Sequence, residues 1–289
     1  MINEHLFKDI YNKCLSIINT SKDQNILNKQ QKLASAYSLL RETEAHELQE
    51  FYSVVYELQI YQYIKDLGIK ISSANDIKAG PDFITDLGYI ECVCATKGLP
   101  GTPERKWLDA RLRQRMNRNI AALPRLSSAI KDKAKKYEIY LHKQIIDKKK
   151  PCIIGLSTSI FSNEFYSNLN LKLILKILYG IGYSTMTFNS ETNSFIEESG
   201  VKLHDYESIA LKPPRNVELP LSIFYDEDYK HISAIILNNN SIGNEIKKEY
   251  FYMLLNPLAN VPVDESLLNN ISYLKLYKVD EYSVNYKWF

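Results

Sequence analysis

Residues 80–98 read GPDFITDLGYIECVCATKG, and this stretch has the pattern of a β-hairpin. Pro81 suits the start of a strand, where its missing N–H costs least. Asp86, Leu87 and Gly88 supply the turn, and residues 89–95 return as the second strand. The midpoint between Asp82 and Glu91 falls between Asp86 and Leu87, so a symmetric register opposes the two acids on one face, with Cβ atoms about 5 Å apart. Phe83, Ile90, Cys92 and Cys94 then point from the other face into the core. Like charges directly opposed destabilise a hairpin. A divalent cation would offset that repulsion, because hard cations such as Mg²⁺ take one or two protein carboxylates when a phosphate completes the shell. One acid turned to solvent, or a register slipped by one residue, would remove the need for it.

Upstream of the hairpin, apolar residues recur every three or four positions over residues 5–19, 25–40 and 44–67, which predicts three helices, the last ended by Gly68. Within FYSVVYELQIYQYIKDLG (residues 51–68), Glu57 precedes Ile60, Tyr61 and Ile64 by three, four and seven residues, so it shares the apolar stripe. A carboxylate buried there needs a metal or an ion pair, for which an arginine of the basic segment is one choice. A short extended piece over residues 69–72 leads towards the hairpin.

Downstream, residues 97–150 hold 16 Lys and Arg against five acids, a net +11 inside a chain of net +2, which leaves −9 for the remainder. Such a block points to a polyanionic partner or, more plainly, to a solvated helical face. Two basic helices are expected, over residues 107–120 and from just after Pro124 to about 145. PCIIGLSTS (residues 151–159) then reads as a buried strand. The order helix, three strands, helix, strand predicts an α/β fold with a mixed central sheet flanked by helices. Further on, a helix over residues 171–179 closed by Gly180 and Gly182, and strands over 221–225, 232–237, 250–255 and 271–277, are expected. With no repeat or low-complexity linker, the chain reads as one elaborated domain: an N-terminal helical extension (1–50), a core (51–160) and a C-terminal α/β elaboration packed on it (161–289).

Glu57 on a helix, GPDF at residues 80–83 and IEC at residues 90–92 together resemble the PD-(D/E)xK nuclease superfamily, with its restriction-endonuclease-like fold. The likeness covers residues 50–160. RLSSAIKDKAKKY, YGIG and LLNPLANVPV, with GPDF and ECVCATKG, look like a bacterial branch of that superfamily that carries no established activity. The resemblance implies Asp82 and Glu91 as metal ligands for Mg²⁺ (or Mn²⁺), Glu57 as an accessory acid, and a metal-dependent nuclease acting on DNA or RNA. The chain departs from the pattern at Val93, where the superfamily usually has a lysine that orients the attacking water and offsets developing charge.

Any positioned cation that reaches the same point could serve instead. Lys97 shares the parity of Glu91 but lies six residues on, about 20 Å of extended strand. In RLSSAIKDKAKKYEIYL (residues 125–141), Leu126, Ala129, Ile130, Ala134, Tyr137 and Leu141 mark the inward face. Lys133 lies beside it, whereas Lys131, Lys135 and Lys136 read as more exposed. Some members of the superfamily carry the lysine on this helix, so Lys133 is the expected catalytic lysine. Its competing reading is a lysine snorkelling over an apolar face. Arg125 and Ser128, read as opening this helix, would place donors near a phosphate. Arg111, Arg113, Arg115 and Arg118, with Lys97 and Arg125, are the expected nucleic-acid contacts.

The remaining composition excludes other chemistries. The four cysteines form no CxxC pair and read as buried thiols of a reducing compartment, hence the cytoplasm. The five histidines have no metal-ligand spacing. No nucleophile motif is present, and YGIG closes a helix instead of cradling phosphate. No apolar run reaches membrane-spanning length, and residues 1–13 lack a signal-peptide core. Tyr56, Tyr61, Tyr63, Tyr137 and Tyr140 read as helix packing in preference to base stacking. Two other functions stay open: a catalytically inactive nucleic-acid-binding protein of the same fold, and a protein-interaction module using its basic helices.

Overall fold

Three helices with apolar stripes open the chain: α1 (Glu4–Asn19), α2 (Gln24–Leu39) and α3 (His46–Asp66). The computed structural model describes residues 4–39, 46–72, 80–95, 106, 118–158, 167–189, 194–203, 209–211, 217–219, 221–239, 247–278 and 283–289. Gly68 takes a left-handed φ of 74° just past α3, its N–H bonding the Lys65 carbonyl while the Ile69 N–H reaches back to Ile64. These bonds satisfy carbonyls that the helix end would otherwise leave open.

The hairpin follows as β1 (Ile71–Ser72), β2 (Phe83–Thr85) and β3 (Gly88–Cys94), an antiparallel meander. Gly88 is required at the turn, because φ is 132° and a Cβ there would lie 2.3 Å from the Pro151 carbonyl oxygen. That close approach holds the turn against the chain entering β4 (Cys152–Ser157), which runs parallel to β3 with Glu91 beside Ile154. The crossover between them carries α4 (Arg118–His142). The sequence predicts a helix starting after Pro124; the observed helix begins at Arg118 and runs through Pro124. Inside the helix the ring loses one hydrogen-bond donor and crowds the carbonyl four residues back, a cost of about 3 kcal/mol that the burial of Leu123, Leu126 and Ile130 offsets. The helix expected over 107–120 lies almost entirely outside the described residues.

Beyond β4 come α5 (Ser167–Tyr179), β5 (Ile181–Asn189), β6 (Ser194–Leu203), β7 (Ile209–Leu211), β8 (Val217–Leu219), β9 (Ala234–Asn238), β10 (Phe251–Leu255), β11 (Tyr273–Lys278) and β12 (Ser283–Trp288). Gly182, expected to close the helix with Gly180, lies instead within β5. Residues 221–225, expected as a strand, contain a 3-10 turn over Ile223–Tyr225, with Ser222 in the left-handed region at φ 62°. Its short apolar run carries no period that separates a buried turn from a strand.

The fold is α/β. Among the described residues, ten strands form one mixed sheet in the order β1-β2-β3-β4-β9-β10-β11-β12-β6-β5, while β7 and β8 make a separate ribbon. Because β4 pairs in parallel with β9, the sheet continues from the hairpin into the C-terminal part without interruption. Alternation along its strands divides the interior in two. Ile90, Cys92, Ile153, Ile236 and Met253 pack with α1, α2 and α3 on one face; Tyr89, Ile154, Leu156, Ile235 and Leu237 pack under α4 and α5 on the other. Glu91, between Ile90 and Cys92, is thereby turned towards α4.

Candidate active site

The β2–β3 register is the expected one, with Phe83 opposite Ile90 and Thr85 opposite Gly88, so the next step brings Asp82 opposite Glu91. The ladder stops at that step. Asp82 leaves the strand, and its Oδ2 accepts the Cys92 N–H at 2.7 Å. A carboxylate thus replaces the carbonyl that a longer β2 would have offered, in a charge-assisted bond stronger than the one it replaces. The two acids are brought together as the spacing predicts, but as the end of a ladder and not as a regular cross-strand pair.

Glu91 is held from above by α4. Lys133, Lys136, Tyr137 and Tyr140 are spaced three, four and seven residues apart, so they share one face of that helix. The Tyr137 hydroxyl lies 2.9 Å from the Tyr89 carbonyl oxygen and 2.7 Å from that of Ile153, which fixes the helix over the β3–β4 seam. The Glu91 side chain is fully buried, and its Oε1 accepts from the Lys133 ammonium at 2.7 Å and also from that of Lys136. A buried carboxylate without partners would cost several kcal/mol; two ammonium groups supply them. The Tyr140 hydroxyl is 2.9 Å from the Gly80 carbonyl oxygen and 3.4 Å from Glu91 Oε2. With one proton to give, it leaves Oε2 weakly satisfied. Burial alone would lower the Lys136 pKa, but its bonds to Glu91 and Tyr140 outweigh that and raise it.

Glu57, on α3, approaches from the opposite face and pairs with Lys29 of α2. Burial raises its pKa, the negative charge of Asp82 adds to the rise, and Lys29 opposes it. Burial likewise works against the charge on Lys29, yet Glu57 more than reverses this and raises its pKa. Lys29 Nζ also lies 6.0 Å from the centre of the Phe83 ring. The Cys92 thiol sits amid all three acids: burial pushes its pKa well up, and Asp82, Glu57 and Glu91 push it further. All four cysteines are buried.

The structure therefore gathers Glu57, Asp82, Glu91 and Lys133 around the end of the hairpin. Lys136 is more exposed than Lys133, as expected, yet its ammonium reaches the same Glu91 oxygen; it lies one turn further along the same face, with Tyr140 one turn beyond. Glu57 pairs with Lys29, not with an arginine of the basic segment. The sequence signal for Lys29 was its place between Ile26, Leu33 and Ala36, in an apolar stripe where an ionisable group needs a buried partner. Arg125 lies two turns inside α4 and is half-buried, so it does not stand at the helix N-terminus that would favour a phosphate. Lys97, Arg111, Arg113 and Arg115, and the side chain of Arg118, lie outside the described residues. Tyr56, Tyr61, Tyr63, Tyr137 and Tyr140 are all buried in packing.

Among the described residues, no group of three or more His, Cys, Asp and Glu side chains is placed to hold a metal ion, and no helix is long and apolar enough to cross a membrane. Comparisons with protein-family models, curated proteins and solved structures found no match to this chain.

Proposed function

We propose that this chain is a metal-dependent nuclease with a restriction-endonuclease-like core, hydrolysing phosphodiester bonds in DNA or RNA with Mg²⁺ or Mn²⁺. The observation that carries this reading is the 2.7 Å contact between Lys133 and Glu91. It brings a cation from α4 to the acid beside Val93, the position that lacks one. The succession α3, β1, β2, β3, α4, β4, with an antiparallel meander and β4 parallel to β3, supports the same reading.

The donor set fits a hard divalent cation. Asp82 Oδ1 has no hydrogen-bond donor among the described residues, and Glu91 Oε2 holds only the long contact from Tyr140. Two carboxylate oxygens meet the protein's share of a Mg²⁺ shell when phosphate and water complete it. Asp82 and Glu91 would hold the ion, which when bound supplies Lewis-acid polarisation of a phosphoryl oxygen. The chain's own residues do the rest. Lys133 offsets charge that develops on the phosphoryl oxygens, from a position fixed before reaction. Tyr140 fixes the Gly80 carbonyl and so the approach of the chain to Asp82. Glu57, held by Lys29, adds negative potential at Asp82. The exposed Lys131, Lys135, Lys143, Lys148, Lys149 and Lys150 belong to the basic segment and would bind the nucleic-acid backbone in a salt-sensitive way.

The test is cleavage of single- and double-stranded DNA and RNA with Mg²⁺ or Mn²⁺. Asp82→Ala and Glu91→Ala are expected to abolish cleavage and leave binding largely intact; unchanged cleavage in both would reject the assignment. A second reading, nucleic-acid binding without turnover, is favoured by the engagement of Glu91 Oε1 with two ammonium groups. Binding in the absence of any cleavage or divalent-ion uptake would select it.

A further inference from the structure

The three carboxylates around Cys92 are not equally open to a cation. We propose that Lys29 is a built-in cation on the Glu57 side of the cluster, restricting the site to one divalent ion held by Asp82 and Glu91. The inference rests on the carboxylate site proposed above and concerns its stoichiometry.

Catalytic pairs of divalent ions sit about 3.5–4 Å apart and share carboxylates between them. Here a second ion would need Glu57 together with Asp82, because Glu91 faces α4. Lys29 already bonds Glu57 Oε2 and acts on the Asp82 charge as well. It is also anchored. Ile26, Leu33 and Ala36 bury the α2 stripe on either side of it, its side chain is only 11% exposed, and its ammonium lies near the Phe83 ring. The cations on Glu91 differ: Lys136 is 43% exposed and can swing into water when another cation takes its place. The Glu91 side can therefore exchange its cation while the Glu57 side keeps its own. A fixed single charge there lowers the negative potential that a second divalent ion would require. The N-terminal helices, which the sequence presents as an extension, thus contribute a specificity-determining residue to the centre.

Mn²⁺ titration of the full chain, followed by the electron paramagnetic resonance of free Mn²⁺, reads the stoichiometry without any cleavage assay. The unmodified protein is expected to bind one ion, Lys29→Met two, and the double variant Lys29→Met, Glu57→Gln one again. A merely structural lysine would lower stability without adding an ion. Glu57→Gln alone keeps the proposal testable if Lys29→Met does not fold: it should still bind one ion but about tenfold more weakly, because the freed Lys29 ammonium then faces Asp82 without its partner. Two ions in the unmodified protein, one in folded Lys29→Met, or an unchanged affinity in Glu57→Gln would overturn the role of Lys29 and leave the carboxylate site standing. No ion in the unmodified protein would overturn the carboxylate site itself, and this inference with it.

Discussion

On one face of the sheet Lys29 meets Glu57; on the other, Lys133 and Lys136 meet Glu91. In the first contact both partners come from packed helices, and the lysine is 11% and the glutamate 20% exposed. In the second the acid is fully buried, while its two lysines are 20% and 43% exposed. Both contacts neutralise a carboxylate beside Asp82, but only the second includes a cation, Lys136, with an open route to water. A fixed pair serves to hold structure and set potential; a cluster with one movable cation can exchange it for a metal ion while Lys133 stays in place.

The largest expected effect lies on the movable side. Lys133→Met should slow cleavage by about 10²–10³-fold, the range for loss of one preorganised electrostatic group. Lys136→Met should slow it by about tenfold, because its ammonium is more solvated. Single-turnover rates at saturating Mg²⁺ would rank the two, and the reverse order would hand Lys133's role to Lys136.

The fixed side should respond in stability more than in rate. Lys29→Met strands Glu57 in a largely apolar setting and is expected to cost about 2–3 kcal/mol. Adding Glu57→Leu should restore much of it. Urea unfolding of both single variants and the double variant gives the coupling, and simple additivity would mean that the pair is not a stabilising unit.

The smallest effect is a pH dependence. Burial and Asp82 raise the Glu57 pKa above its ordinary value of 4.5, so the folded state holds that proton more tightly than the unfolded one. The associated stability is fully present below about pH 4.5 and is lost as pH rises through the raised folded value. Glu57→Gln removes the titration, so its stability curve should be flatter just above pH 4.5. Parallel curves for the two proteins would show that Lys29 cancels the shift.

Much of the architecture was legible because local chemistry enforces it. The three N-terminal helices, Gly68, the hairpin turn at residues 86–88 and the buried strand CIIGLS follow from periodicity and turn residues, and each lies within a few residues of its expected place. Strands β5, β6, β7, β8 and β12 were not foreseen. β5 and β6 pair locally, with Asn189 opposite Ser194, and β12 joins β6 from far along the chain; short mixed segments have no period strong enough to reveal either. Pro124 does not mark the start of α4, because its lost hydrogen bond and ring crowding are outweighed by the burial of Leu123, Leu126 and Ile130.

For the site, the sequence by itself determined the two acids of the hairpin, the stripe that buries Glu57 and the helix face that offers Lys133, since spacing along one element fixes which side chains share a face. Only the tertiary structure decided that Asp82 caps the β3 edge, that Lys136 joins Lys133 on one oxygen, and that Lys29 crosses from α2 to Glu57. Those three contacts join residues 10, 45 and 28 positions apart in the chain. A charged side chain's partner is chosen by whichever opposite charge or donor the packed fold brings within reach, and no local pattern encodes that choice.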